Sequence, residues 1–172
     1  MAVSTADTFT YDQLRDLRVL LVTGFGAGLI RPAPGTWGSL VGLGIWFLLL
    51  ASLSPIKQLM VIVLVFSLGV WLCNRVEARY GLHDPGAIVI DEIVGVWIAL
   101  LGFGPEWIWA VAGFALFRLF DIAKPWPVRW ADRSLRGGFG VMVDDVLAGC
   151  LAAIVLQVAF WVSLFMRGTG FS

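Results

Sequence analysis

Asp91-Glu92-Ile93-Val94-Gly95 decides how this chain is read, together with a later echo, Asp144-Asp145-Val146-Leu147-Ala148-Gly149. In each stretch two adjacent acids stand at the threshold of a long apolar run. The chain carries only 12 acidic residues, and these doublets contain four of them. An ionised side chain at the centre of a bilayer costs about 2.5–3.5 kcal/mol on insertion scales, so acids beside membrane segments are functional candidates by default. Positions i and i+4 of a helix share a face. Gly95 stands four residues after Asp91, and Gly149 four after Asp145. Each acid therefore sits over a position with no side chain, leaving room for another helix or for a metal and a headgroup. The competing reading is that the acids cap helix starts and complement the dipole. Two doublets at one membrane face, with further acids nearby, favour chemistry.

The surrounding runs set the fold class. Hydrophobic residues make up 59% of the 172 residues and charged residues 14%, with a mean hydropathy of +0.89. Soluble domains carry about 25% charged residues. The composition is that of an all-α integral membrane protein, a helical bundle of short and full-length membrane helices. Residues 1–18 read as a polar N-terminal segment and 19–167 as one membrane-embedded domain. Residues 1–10 are expected to fray. The start does not read as a signal peptide, because no small-residue cleavage pattern follows the apolar stretch 19–30. A helix is expected over 11–21, with Thr10 or Asp12 near its cap. Residues 19–30 are too short and too rich in glycine for a span, which needs about 20 residues, and read as interfacial. Residues 40–53 and 59–73 form a helical hairpin turning at Ser54-Pro55. Residues 74–90 form a polar segment broken at Pro85-Gly86. Residues 93–101 and 107–120 form a second, shorter hairpin turning at 102–105. Residues 121–140 are polar again, and 146–166 make a full-length span.

Charge bias orients these segments. Ten of the 12 basic residues fall within 15–31, 75–79 and 118–136. The positive-inside rule puts those regions in the cytoplasm, which places both doublets and the polar site at the cytoplasmic face. Net charge is zero, and no basic-aromatic array suggests nucleic acid. Cys73 and Cys150 read as small buried hydrophobes. His83 is the single histidine, so no zinc spacing exists. A metal held by carboxylates would be Mg²⁺ or a similar hard ion.

Three further stretches bear on the chemistry. Arg118 and Lys124 bracket Asp121, and fixed cations beside carboxylates suit a phosphate held between metal and Lys or Arg. Pro125 and Pro127 stiffen that segment, and Trp126 and Trp130 suit the interface belt. The loop Pro34-Gly35-Thr36-Trp37-Gly38-Ser39 offers backbone N–H groups and the Thr36 and Ser39 hydroxyls at a helix start, an anion site, or else a glycine turn with Ser39 as cap. His83-Asp84 precedes the first doublet. Asp84, Asp91, Glu92, Asp121, Asp144 and Asp145, with several cations, point to Mg²⁺-assisted phosphate chemistry. The rival class is a small ion-coupled transporter, which predicts acids deep within spans and facing one another across the membrane.

Residues 24–40 (GFGAGLIRPAPGTWGSL), 83–96 (HDPGAIVIDEIVGV), 117–133 (FRLFDIAKPWPVRWADR) and 137–149 (GGFGVMVDDVLAG) together resemble the phosphatidylglycerophosphatase A family of bacterial inner-membrane lipid phosphatases. The resemblance covers roughly residues 24–153. It implies Mg²⁺-dependent removal of the terminal phosphate from phosphatidylglycerophosphate, a phospholipid substrate in the bilayer, to give phosphatidylglycerol. It implies catalytic acids at Asp84, Asp91, Glu92, Asp121, Asp144 and Asp145, and phosphate partners at Lys124 and Arg129. On this reading Asp91, Glu92, Asp144 and Asp145 hold the metal. One carboxylate serves as general base on water or attacks phosphorus itself. Oligomeric state is not legible.

Overall fold

The computed structural model describes residues 9–81 and 85–168, and the expectations for residues 1–8, His83 and Asp84 lie outside them. No strand occurs among the described residues. The expected helix over 11–21 is two pieces: a 3₁₀ turn at Tyr11–Arg15, then α1 at Leu17–Val22. Asp16 divides them because its side chain caps α1, accepting the Arg18 N–H at 3.0 Å. Phe9, within the stretch expected to fray, is buried edge-to-face against Tyr80. Residues 19–30 do not form a span. They wind through left-handed backbone at Gly24, Phe25 and Gly26 into a short 3₁₀ turn, Ala27–Leu29.

α2 spans Pro34–Ile45 and continues as a π-helical turn, Trp46–Leu50. Pro34 occupies the first helical position, where a missing N–H costs nothing. The helix therefore starts six residues before the expected residue 40, so Thr36 and Ser39 lie on it rather than in a loop. α3, Pro55–Tyr80, also begins with proline and ends at Gly81, which takes the left-handed conformation (φ 65°) common at helix C-termini. Arg75, Glu77 and Arg79, expected in a polar segment, are on its last turns. α4 is Ile90–Ala99, α5 Trp107–Ala123, α6 Val128–Ser134 and α7 Gly137–Gly168. α7 starts nine residues before the expected 146, so Asp144-Asp145 lies two turns inside a helix and not at its threshold.

α4 is the central element. α7, α2, α3 and α5 surround it, and Ile90, Ile93, Val94, Val96, Trp97 and Ala99 are buried. At 1.5 Å per residue it is only about 15 Å long. The two hairpin tips meet at one end of the bundle. Gln58, buried, donates to the carbonyls of Leu50 (3.2 Å) and Phe103 (3.3 Å) and accepts the Gly102 N–H (2.9 Å). Every polar group of that amide is thereby engaged against two loops. The doublets lie at the other end. Residues 87–89 are buried there, and the Val89 N–H donates to Val22 O at 2.8 Å, drawing the start of α4 into the bundle. α3 and α7 are long and apolar enough to cross a membrane by length and composition. Large apolar side chains cover the periphery, among them Leu48, Leu64, Trp161 and Phe165. Cys73 is buried as expected, whereas Cys150 is exposed on this outer surface.

Candidate active site

Asp91 and Glu92 lie in the first turn of α4. No side chain caps this helix start; instead Asp91 Oδ1 accepts the Glu92 N–H at 3.1 Å. Asp145 reaches the same place from α7. The start of α7 is pinned to α3 by Asn74, whose Oδ1 accepts the Gly138 N–H at 2.8 Å. Further along, α4 and α7 touch backbone to backbone: a Cβ on Gly149 would stand 2.6 Å from Gly95 O. The two glycines thus make room for a helix crossing, not for a headgroup. That crossing buries Asp145 to 3% exposure. One oxygen each from Asp91, Glu92 and Asp145 falls within 4.8 Å of the others.

Arg118 on α5 lies beneath this trio. Its Nη1 is 2.6 Å from Asp121 Oδ2 and 3.9 Å from Glu92 Oε1, and it donates to Ser39 Oγ at 3.4 Å. Ser39 in turn donates to Gly35 O at 2.7 Å. Gly35 leaves space for these side chains, since a Cβ there would displace Glu92 Oε1 and lie 3.0 Å from Arg118 Nη1. Among the described residues, Glu92 Oε2 and Arg118 Nε at this site are buried without a partner, as is Trp46 Nε1 elsewhere in the bundle.

Asp144, next to Asp145, turns elsewhere. Adjacent helical residues point about 100° apart, which separates the side chains of Asp144 and Asp145 on α7. Asp144 Oδ2 accepts from Lys124 Nζ at 2.9 Å, and Lys124 also donates to Asp132 of α6. Lys124 itself ends α5 with left-handed backbone (φ 43°). Partial burial works to lower the pKa of its ammonium, but the hydrogen bonds and charges of Asp132 and Asp144 outweigh it and raise the pKa above the ordinary lysine value.

These groups line a cavity of about 520 Å³. Asp91, Glu92, Asp121, Asp144, Asp145 and Lys124 are all part of its wall. Four other expected site residues are not. Arg118 and Ser39 stand behind the carboxylates. Thr36, on α2, makes no side-chain hydrogen bond, and Arg129 is exposed and reaches only Ala123 O at 3.5 Å. The cavity also takes in Glu77, Asp132 and Arg136, to which the sequence reading gave no role. Asp132 lies eight residues beyond Lys124 in a short loop-helix segment, and Arg136 directly precedes Gly137-Gly138 at the start of the helix bearing the second doublet. Those placements were the available signals. Nothing in the sequence marks Glu77.

Three carboxylate oxygens this close repel one another. Each like-charge pair at about 4.5 Å costs about 4 kcal/mol at an effective dielectric near 20. Oxygen-only donors among the described residues and the unpartnered Glu92 Oε2 fit a hard divalent cation. The acids gather at one end of the bundle rather than along it, which does not favour a transport pathway.

The family model for phosphatidylglycerophosphatase A matches residues 20–160. A phosphatidylglycerophosphatase A of Haemophilus influenzae is 50% identical over 144 residues, covering 83% of this chain and 88% of the relative. One from Escherichia coli is 44% identical over 138 residues, 80% of each chain. A protein of Bacteroides thetaiotaomicron, provisionally named a phosphatidylinositol-3-phosphatase, is 46% identical over 154 residues, 85% of this chain and 95% of its own. No solved structure matches the chain.

Proposed function

The chain belongs to the phosphatidylglycerophosphatase A family, enzymes acting on a phosphate monoester, and from that premise we propose that it hydrolyses phosphatidylglycerophosphate to phosphatidylglycerol and inorganic phosphate, with Mg²⁺, at the cytoplasmic surface of a bacterial inner membrane. The observation that carries the reading is the convergence of Asp91, Glu92 and Asp145 on the wall of a polar cavity at one end of an otherwise apolar bundle. A lipid with a charged headgroup needs that division between wet site and apolar flank.

Membrane placement is supported by length and surface. α3 and α7 run about 39 and 48 Å, against a hydrocarbon core of about 30 Å. Their apolar windows are mostly unburied within the bundle, as lipid-facing helices are. α4, at about 15 Å, does not cross such a core, and its hairpin with α5 is re-entrant. The basic residues near the cavity end suit the cytoplasmic side.

Asp91, Glu92 and Asp145 would hold Mg²⁺, which when bound polarises phosphoryl oxygens and offsets charge on the phosphate. Arg118 positions Glu92 and Asp121 from behind and neutralises part of their charge. Lys124 orients Asp144. Asp144 lines the cavity without belonging to the convergent trio, takes the proton from the water that attacks phosphorus, and returns it to the glycerol oxygen as the P–O bond breaks. Asp121 and Ser39 act through Arg118.

The test is phosphate release by purified protein in detergent micelles. Release from phosphatidylglycerophosphate with Mg²⁺ and its loss with EDTA are expected. Absence of release with Mg²⁺ present overturns the reading. Phosphatidylinositol 3-phosphate is the comparison substrate, and its faster turnover would reassign the headgroup.

A further inference from the structure

Seven acids among the described residues line the cavity: Glu77, Asp91, Glu92, Asp121, Asp132, Asp144 and Asp145. Only two cations join them, Lys124 and Arg136. A phosphate monoester approaching this wall meets repulsion that a bound Mg²⁺ would offset in part, and a free fixed cation at the rim would offset further. Lys124 is not free. Its ammonium is shared between Asp132 and Asp144, on two different helices. Arg118 is enclosed behind Glu92 and Asp121, with its side chain 15% exposed. Arg129 does not line the cavity and donates instead to Ala123 O.

Arg136 differs from all three. It lines the cavity, it is exposed, and its guanidinium makes no ion pair or hydrogen bond with another described residue. Its backbone is nonetheless fixed. Arg136 O accepts the Gly140 N–H at 3.3 Å in the first turn of α7. Gly137 follows with left-handed backbone (φ 64°), and the Gly138 N–H is tied to Asn74. A Cβ on Gly138 would stand 3.0 Å from the backbone N of Asn74, so α7 starts in close contact with α3. An anchored backbone with an uncommitted guanidinium at a cavity rim is the arrangement that bidentate phosphate recognition uses.

We infer that Arg136 is the residue that binds the substrate's phosphate monoester at the rim of the acid cavity, and that Lys124 is a positioning residue for Asp144 rather than a phosphate ligand. The inference rests on the proposed phosphatase reading for its substrate, but anion binding by Arg136 does not require turnover. Arg136 directly precedes α7, which carries Asp144 and Asp145, so the residue that captures the phosphate is joined to the helix that bears half of the acids that act on it.

Two measurements on the full-length protein in micelles test this. The first is steady-state phosphate release by wild type, Arg136→Gln and Arg136→Lys. Arg136→Gln is expected to raise KM about tenfold or more with kcat changed less than about threefold, the signature of lost ground-state binding. Arg136→Lys should recover part of the loss, since charge is restored without the fork. The second is binding of inorganic phosphate followed by ³¹P NMR, with Lys124→Gln alongside. Weakened binding in Arg136→Gln and near-normal binding in Lys124→Gln support the inference, whether or not the wild type turns over. An unchanged KM and unchanged phosphate affinity in Arg136→Gln overturn it, as does a larger loss of phosphate affinity in Lys124→Gln. A wild type that binds phosphate through Arg136 yet releases none from lipid would overturn the phosphatase reading and leave this one standing.

Discussion

Asp91-Glu92 lies in the first turn of α4, with no side-chain cap, while Asp144-Asp145 lies two turns inside α7, within an unbroken helical ladder. The first doublet brings one oxygen of each acid to the same point. The second divides its acids. Asp145 joins the convergent trio at 3% exposure, and Asp144 turns to Lys124. Two similar acid pairs thus do different work, and what separates them is where the helix begins. A helix start is decided by the residues upstream: buried Val89 tied to Val22 in one case, Gly137-Gly138 seated on Asn74 in the other.

The sharpest way to break this contrast is to neutralise one acid from each side of the trio. Asp91→Asn and Asp145→Asn keep shape and remove charge, and each is expected to lower turnover by about 10³-fold, as loss of a group that stabilises transition-state charge does. Circular dichroism should show both variants still folded. Near-normal turnover in either would mean that the doublets do not share one centre.

Arg118→Met comes next. It leaves Glu92 and Asp121 without their common cation in a largely enclosed setting, and removing one partner of such a pair costs about 3 kcal/mol or more. A fall in thermal stability in detergent, largely restored by Arg118→Lys, is expected. Stability unchanged from wild type would mean that Arg118 does not support the first doublet.

Smaller still is Gly149→Ala, where the new methyl meets Gly95 O and lies 3.1 Å from Ile98 Cβ. Forcing a methyl into a packed contact costs about 1–3 kcal/mol. Gly44→Ala, with nothing within 4 Å of the new carbon, is the control and should be slightly stabilising, as alanine is over glycine within a helix. Equal effects in the two variants would contradict the close α4–α7 crossing that brings Asp145 to Asp91.

The smallest effect is the pH dependence of the Lys124 bridge. Its pKa is raised on folding, so its contribution is complete below the ordinary lysine value of 10.5 and fades as pH climbs past it. The difference in melting temperature between wild type and Lys124→Met should therefore stay flat from about pH 6 to about pH 9. A difference that changes steeply within that window would mean that another group carries the bridge.

Much of this was legible in the residues. Apolar runs and the turns at 54–55 and 102–105 give the two hairpins, and the single-histidine composition directs attention to carboxylates. The helix starts were not legible. Pro34 and Gly137 begin helices that polarity alone would leave as loops, because proline at a first position and glycine at a tight contact are read from tertiary surroundings. The same gap misplaced Thr36 and Ser39, which stand on α2, with Ser39 held by Arg118. The resemblance implies Arg129 as a phosphate partner and gives Arg136 no role. Spacing along the chain does not say that Arg129 on α6 stays off the cavity wall while Arg136, directly before α7, lines it.

The most direct measurement of the division of labour between the doublets is Mn²⁺ binding, used as a probe for the Mg²⁺ site and followed by electron paramagnetic resonance. Wild type, Asp144→Asn and Asp145→Asn would be compared in the same micelles. Asp145→Asn should lose about tenfold or more in affinity, as removal of a first-sphere carboxylate from a hard-cation site does, while Asp144→Asn binds nearly as wild type yet turns over poorly. Equal loss of Mn²⁺ in both variants, or undiminished binding in Asp145→Asn, would contradict the account.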